Sequence, residues 1–357
     1  MVATAVLRVL QCQSLMNLVA TFQPGLPQDM FAFRGLQVPE MPSPTRRLFL
    51  FQIDYASLDI ALAPWYRVYG TDRLKKLLAL MPHVHDVVFM HAVFQGRFEA
   101  ATELAQPKRL LVEHHVLDIA AMNGHVDLFC LLQHWNYNVC TCRAMDWAAG
   151  GGHLEMVQYL HNARREGCTK DAMEFAARNG HLPTVQWLHC NRSEGCSKRA
   201  MDFAAAQGHL DVVIWLATHR KEGCSTLAMD WAAKNGHLKV VQWLHANRNE
   251  GCTTGAMTLA AGWGHLHIVT WLFENRYERC KQKAIIGAAK HGHLNVVVWL
   301  HRTMGLKCTA KVLKVAKSGF HSDYVQRHPP CGANKLPAAW YSKQLTKSFF
   351  LSAPLTL

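Results

Sequence analysis

The chain has 357 residues, half of them apolar, with a formal net charge of +13. That composition is ample for a packed core and excludes a disordered, collagenous or linker-type chain. The charge is uneven, +2 over residues 1–90, −1 over 91–210 and +12 over 211–357, and no apolar run reaches the roughly 18 residues a transmembrane helix requires.

In chain order, residues 1–45 lack a clear pattern. Met1–Phe22 is mostly apolar but is broken by Arg8, Gln11, Gln13, Ser14 and Asn17, and five prolines are spread from Pro24 to Pro44. With neither a basic leader nor a cleavage site, this start does not read as a signal peptide, so the chain is expected inside a cell, in cytoplasm or nucleus. Residues 46–83 hold apolar segments expected to form helices that cap the amino-terminal end of a repeat array.

From residue 84 to about 328 one period dominates. Gly96, Gly124, Gly152, Gly180, Gly208, Gly236, Gly264 and Gly292 recur every 28 residues, and His125, His153, His181, His209, His237, His265 and His293 follow the last seven. Cys140, Cys168, Cys196, Cys224, Cys252, Cys280 and Cys308 form another column, as do the leucines from Leu132 to Leu300. The units fall at 84–111, 112–139, 140–167, 168–195, 196–223, 224–251, 252–279, 280–307 and 308–335, the terminal ones degenerate, as end units of an array are.

Each unit reads as two helices. Ala172, Met173, Ala176 and Ala177 form one apolar helical face. Thr169, with Ser197, Ser225 and Thr253 in register, is placed to cap that helix, and Gly180 to end it. The second helix carries Leu182, Val185 and Leu188 on one face and a bulky Tyr159, Trp187, Trp215, Trp243, Trp271 or Trp299 per unit. Neither helix can bury its stripe within one unit, so units must stack, and the alanine pairs suit close helix packing. Residues 329–357 show no pattern.

The segment AARNGHLPTVQWL, echoed at AAKNGHLKVVQWL and AAKHGHLNVVVWL, resembles the ankyrin repeat: two alanines, two variable residues, Gly-His-Leu and an apolar second helix. The units are similar to the short 28-residue ankyrin-like arrays found in large paralogous sets in plant-pathogenic microbes. The resemblance implies an all-α helix-turn-helix repeat solenoid that binds another protein. Two features depart from it: the Thr-Pro-Leu-His opening is replaced by Asp171-Ala172-Met173-Glu174, and the unit is about five residues shorter than the usual length near 33. The loss is expected to fall on the inter-repeat hairpins, moving recognition onto the first helices and short loops. Leucine-rich repeats fail for want of alternating leucines, tetratricopeptide units need about 34 residues, and zinc fingers fail on ligand count.

Candidate chemistry is sparse. Stacked helices about 8–10 Å apart keep one cysteine or histidine column from pairing or sharing a metal, so neither metal nor cofactor is expected. No nucleophile elbow, phosphate loop or metalloprotease motif is present, and the segments outside the array are short for a catalytic domain, so no enzyme is expected. The turn histidine is expected to bond backbone groups that fix the helix–helix corner. The Arg164/Glu166, Arg192/Glu194, Arg220/Glu222, Arg248/Glu250 and Arg276/Glu278 pairs read as alternating charge along a solvated edge.

Specificity should lie in positions that do not repeat. One first-helix column reads Asp146, Glu174, Asp202, Asp230, Thr258, Ile286, Lys314, passing from acid to base. Trp263 stands where neighbouring units have polar residues, as an aromatic anchor would. Between Arg279 and Ser322 every charged residue is basic. Asp202, Asp230, Lys234, Trp263, Lys283, Lys290, Lys311 and Lys314 are therefore the candidate partner-binding residues. Another protein, acidic if it meets the basic end, is the expected partner; for that end the alternatives are a solubilising cap and a site for nucleic acid or an anionic surface. A third reading, a secreted effector, rests on Arg46–Phe51, which resembles translocation motifs.

Overall fold

A computed structural model describes residues 27–38, 48–105, 115–309, 311, 312 and 315. Lys314, Lys317, Arg46, Arg47, the rest of the last unit and the 329–357 tail lie outside the described residues. The helices are α1 (Leu48–Tyr69), α2 (Leu74–Leu80), α3 (His85–Phe94), α4 (Phe98–Leu104), α5 (Val116–Met122), α6 (Val126–His134), α7 (Cys142–Gly150), α8 (Leu154–Ala163), α9 (Lys170–Arg178), α10 (Leu182–Asn191), α11 (Lys198–Gln207), α12 (Leu210–His219), α13 (Thr226–Lys234), α14 (Leu238–Asn247), α15 (Thr254–Gly262), α16 (Leu266–Asn275), α17 (Gln282–Lys290) and α18 (Leu294–Met304). From α3 onward the odd helices are the first of each unit and the even ones the second. No strand occurs among the described residues, so the fold is an all-α repeat solenoid. The inter-repeat segments, such as 192–197 and 220–225, are short loops.

The described residues divide into two compact units, those up to 148 with 155–167, and 149–154 with those from 168 onward. In the first, α1 lays Tyr55 on Phe94 with ring centroids 4.5 Å apart and nearly parallel planes. Asp59 accepts from Gln95 at 2.6 Å and pairs with the buried His91 at 2.8 Å. The α3 helix, covered by neighbours, is apolar nearly all round, as a fully buried helix must be.

In the second unit, first helices pack on first helices: α9 on α11, α11 on α13, α13 on α15 and α15 on α17. The reason is side-chain size. Ala176, Ala177, Ala204, Ala205, Ala232, Ala233, Ala260 and Ala261 are fully buried, and nothing larger would let the backbones approach so closely. Second helices touch each other less and bury Val185, Leu188, Val213, Leu216, Val241, Leu244, Val269 and Leu272. Each of these larger apolar side chains contributes about 1.5–3 kcal/mol by leaving water. The tryptophan column is only half-buried, so it covers the outer side of this layer rather than filling it.

The turn glycines have a second duty besides their left-handed backbone. Gly180 has φ +80° and Gly208 φ +85°, and a Cβ on either would stand 2.5 Å from the next repeat's ring, His209 or His237. The histidine therefore plugs the preceding repeat. His125 Nε2–H donates to the Phe94 carbonyl at 3.1 Å, and His181, His237 and His265 engage the backbone of Gly150, Ala206 and Lys234 in the same way. The expected bond to backbone is thus made to the preceding repeat. Asparagines two residues before the histidine bond the same carbonyls: Asn179 to Gly150 at 2.7 Å, Asn235 to Ala206 at 2.6 Å.

A second inter-repeat device explains the acidic column. Asp202 accepts from the Ser225 amide at 2.8 Å and hydroxyl at 2.7 Å, and Asp230 accepts from the Thr253 amide at 2.8 Å and from its hydroxyl. Glu174 bonds Ser197 likewise, and in the first unit Asp118 bonds Thr141. Each hydroxyl oxygen then accepts from the amide two residues on, as an N-cap does: from Leu227 at Ser225, from Gly255 at Thr253. Asp202 and Asp230 are each 4% exposed. They hold adjacent repeats together, a correction to their reading as partner-binding residues.

The device stops at Thr258. Its hydroxyl turns back to the Thr254 carbonyl, and the next cap position is Lys281, whose side chain makes no cap bond. Restoring both halves tests the ladder. Thr258→Asp with Lys281→Ser should stabilise the chain by about 0.5–2 kcal/mol, the usual worth of an N-cap. Thr258→Asp alone should be neutral or destabilising, since the acid would lack a hydroxyl partner. Urea unfolding of the two single variants and the double variant checks this; additive effects would refute the pairing.

Candidate protein-interaction surface

The Arg–Glu pairs also turn inward. Arg220 reaches back over Gly195, where a Cβ would stand 2.6 Å from its Nη2, and Arg248 does the same at Gly223 and Arg276 at Gly251. Each arginine grips the glutamate two residues on, at 2.6 Å for Arg248–Glu250 and Arg276–Glu278. Glu250 in turn accepts from the Cys224 amide at the start of its own unit, 3.4 Å. All five arginines and glutamates are less than one third exposed. They stitch the loops, correcting the solvated-edge reading. Where Met304 replaces the arginine and packs its sulfur 3.6 Å from Cys280, the glycine position becomes Arg279.

Once these columns are spent inside the stack, the first helices keep one outward ribbon. In α11 it is Arg199, Phe203 and Gln207; in α13 and its C-cap Leu227, Trp231, Lys234 and Asn235; in α15 and its C-cap Leu259 and Trp263; in α17 and its C-cap Lys283, Gly287, Lys290 and His291. The i, i+4, i+7, i+8 spacing puts each set on one face. The aromatic column (Phe175, Phe203, Trp231) is half-buried, and Phe203 stacks on Trp231 with centroids 5.8 Å apart. Arg178 and Arg199 lie over the Phe203 ring at 5.7 and 5.1 Å. Sequence reading missed this aromatic column; its signal was the apolar residue recurring four places after an exposed one.

Of the candidate residues, Lys234, Trp263, Lys283 and Lys290 come together on this ribbon. Trp263 is 53% exposed. The Lys234 ammonium sits 5.4 Å from its ring centroid, and His291 stacks against it at 5.7 Å. His291 is fixed in turn, its Nδ1–H donating to the Gly262 carbonyl at 2.7 Å. Lys311 is exposed beyond α18. Lys314 lies outside the described residues, and Asp202 and Asp230 lie beneath the surface.

A family model for ankyrin repeats, in arrays of three copies, matches residues 117–202, 146–230, 173–253 and 229–311, together more than half the chain. The chain belongs to the ankyrin repeat family. No curated protein matches it. Ankyrin repeats are generally protein–protein interaction modules and non-enzymatic scaffolds. No single described helix is long and apolar enough to cross a membrane.

The buried ladders make ankyrin stacking sensitive to acid. Burial holds the pKa values of His181, His237, His265 and His293 below the ordinary 6.5, and neighbouring histidines add to the effect. Because the unfolded chain takes up these protons first, their contribution is complete above about 6.5 and falls away as pH drops through the folded values. The glutamates have a second, lower window. The bond from Arg248 holds Glu250 down to about 2, and arginine bonds hold Glu166, Glu194 and Glu222 below 4.5 against the push of burial. Asp202 works in the opposite sense, raised by burial. Urea midpoints should therefore fall once on acidification below neutrality and again below about pH 4.5. A midpoint unchanged between pH 7.5 and 5.5 would contradict the histidine account.

Proposed function

We propose that this ankyrin array binds another protein along the first-helix ribbon and short inter-repeat loops of its second unit, and carries out no catalytic step. One contrast supports the reading. The residues that repeat are used up between neighbouring units, whereas the exposed first-helix columns change from repeat to repeat: Arg199, Leu227, Gly255, Lys283 in one, Gln207, Asn235, Trp263, His291 in another. A scaffold must repeat; a recognition surface need not. The loops are too short to project a hairpin, which leaves the helix face as the contact area. An intracellular site of action fits the thiols: burial pushes Cys196, Cys224, Cys252 and Cys280 up to about 11, and Cys130 and Cys190 are exposed, free thiols.

The test is capture of partners from lysate by the full chain, with face-specific variants. Trp263→Ala should weaken capture by about 2 kcal/mol or more, as an interface aromatic does. Gln186→Ala and Lys239→Ala, exposed on the second helices, should leave capture unchanged. Melting should move little in all three, since exposed substitutions cost within about 0.5 kcal/mol. Equal loss in the second-helix variants would remove the first-helix assignment, and binding abolished by nuclease would replace protein with nucleic acid as the partner.

A further inference from the structure

Charge counted along the sequence misplaces the basic surface. Residues 91–210 look slightly acidic, but the first-helix carboxylates there are turned inward: Glu174 and Asp202, like Asp230, are at most 4% exposed and bonded to the next repeat's cap. The cations on the same helices stay outside. Lys170, Lys198 and Arg199 are exposed on α9 and α11, Lys234 half-exposed on α13, and Lys283 and Lys290 exposed on α17. From α9 to α17 only Asp171 remains as an outward first-helix acid, and it faces Arg199. The face is basic along its length, not merely at its carboxyl end.

Within it the side-chain ridge breaks. The aromatic column runs Phe175, Phe203, Trp231, Leu259 and then Gly287, and the column beside it reaches Gly262. The two glycines meet backbone to backbone: a Cβ on Gly287 would lie 3.4 Å from the Gly262 Cα, and one on Gly262 would meet nothing within 4 Å beyond its own helix and chain neighbours. The result is a notch with a glycine floor and a wall of Trp263, whose ring is braced by Lys234 and His291. Lys283 and Lys290 stand at i−4 and i+3 from Gly287, on the same face. A glycine inside a helix weakens it, so two of them abutting at the one break in the ridge point to a cleared space.

Resting on the protein-binding reading above, we propose that this face takes an acidic, extended segment of a partner protein. A bulky apolar side chain of that segment lodges over Gly262 and Gly287 against Trp263, and its carboxylates pair with Lys234, Lys283 and Lys290. Spacing favours a peptide. Stacked repeats lie about 8–10 Å apart and an extended chain advances about 3.3 Å per residue, so every third residue meets the next repeat and acids can be placed there. A nucleic acid cannot thin its charge in this way, since every nucleotide carries a phosphate, about every 3.4 Å of axis on each strand of a duplex. A second copy is disfavoured because a two-fold pairing of this face sets lysine against lysine.

The test is display selection of random peptides about twelve residues long, enough to cross four repeats in extended form, against the full chain. Anisotropy of the best labelled peptide then reads affinity. Enriched sequences should be net acidic, with carboxylates near a three-residue interval around one large apolar residue. Lys234→Glu, Lys283→Glu and Lys290→Glu should each weaken binding roughly five- to tenfold, more at low salt than at high. Gly287→Leu, which fills the notch as Leu259 does one repeat earlier, should weaken it at least about tenfold without lowering the melting temperature. Gly287→Ala gives a milder filling should leucine perturb the helix. Neutral or basic peptides whose binding still depends on Trp263 would overturn this inference and leave the face assignment standing. Acidic peptides indifferent to Gly287→Leu, Gly287→Ala and the lysine reversals would overturn it too, as would their displacement by a single-stranded oligonucleotide of tighter affinity. Peptides indifferent also to Trp263→Ala, or no enrichment at all, would overturn both readings.

Discussion

A helix pair of 28 residues cannot bury its own apolar surface, and the seating of turn histidines such as His209 and His237 against the preceding repeat's turn glycine sets how the pairs stack. The glycine supplies two things that no other residue offers together: a backbone at positive φ that ends the first helix, and an empty Cβ position into which the next imidazole fits. With that distance fixed, the alanine pairs meet, the acidic column reaches the next N-cap and the arginines reach the earlier glycine loops. Each contact runs only to the adjacent repeat, which is the condition for quasi-one-dimensional stability.

The same geometry sorts charge. Carboxylates on the first helices are short enough to serve the caps and are drawn into the repeat junctions, while lysine and arginine stems are long enough to leave them. A chain whose middle is near neutral in sequence thereby presents a basic face. Where the acid–cap and arginine–glutamate devices end, after the repeat at 252–279, their positions are released to other residues: Thr258 and Ile286 on the helix face, Lys281 at the cap, Arg279 in place of glycine. Trp263, Gly262 and Gly287 sit at this transition, where a position no longer needed for stacking is free to carry recognition.

The fold was legible because it is written many times over. Period, helix pairing, Ser/Thr caps and glycine stops all follow from residues in one unit, and each lies where local chemistry puts it. The roles that escaped are those joining one unit to the next. Nothing near Asp202 in sequence shows that Ser225 lies against it, and nothing near Arg220 shows Gly195 beneath it. A signal did exist in the joint variation of columns: acid with Ser/Thr cap until Thr258 with Lys281, and glycine with arginine until Arg279 with Met304. Of the surface, Lys234, Trp263, Lys283 and Lys290 were readable as departures from the repeat. The aromatic column was not, because a residue four places along a helix looks like core until its neighbours are known to be alanine.

The central claim is that glycine and histidine form one unit across the repeat junction. A double-mutant cycle on Gly208→Ala and His237→Ala, read by urea unfolding, measures it most directly. Positive φ alone should cost alanine about 1–3 kcal/mol, and the clash with the His237 ring should add to that in the wild-type background. The account predicts that Gly208→Ala loses part of its cost once His237 is alanine, with a coupling of about 0.5–3 kcal/mol. Costs that simply add, within about 0.5 kcal/mol, would mean that glycine serves only its own turn and that the repeats are held in register by something else.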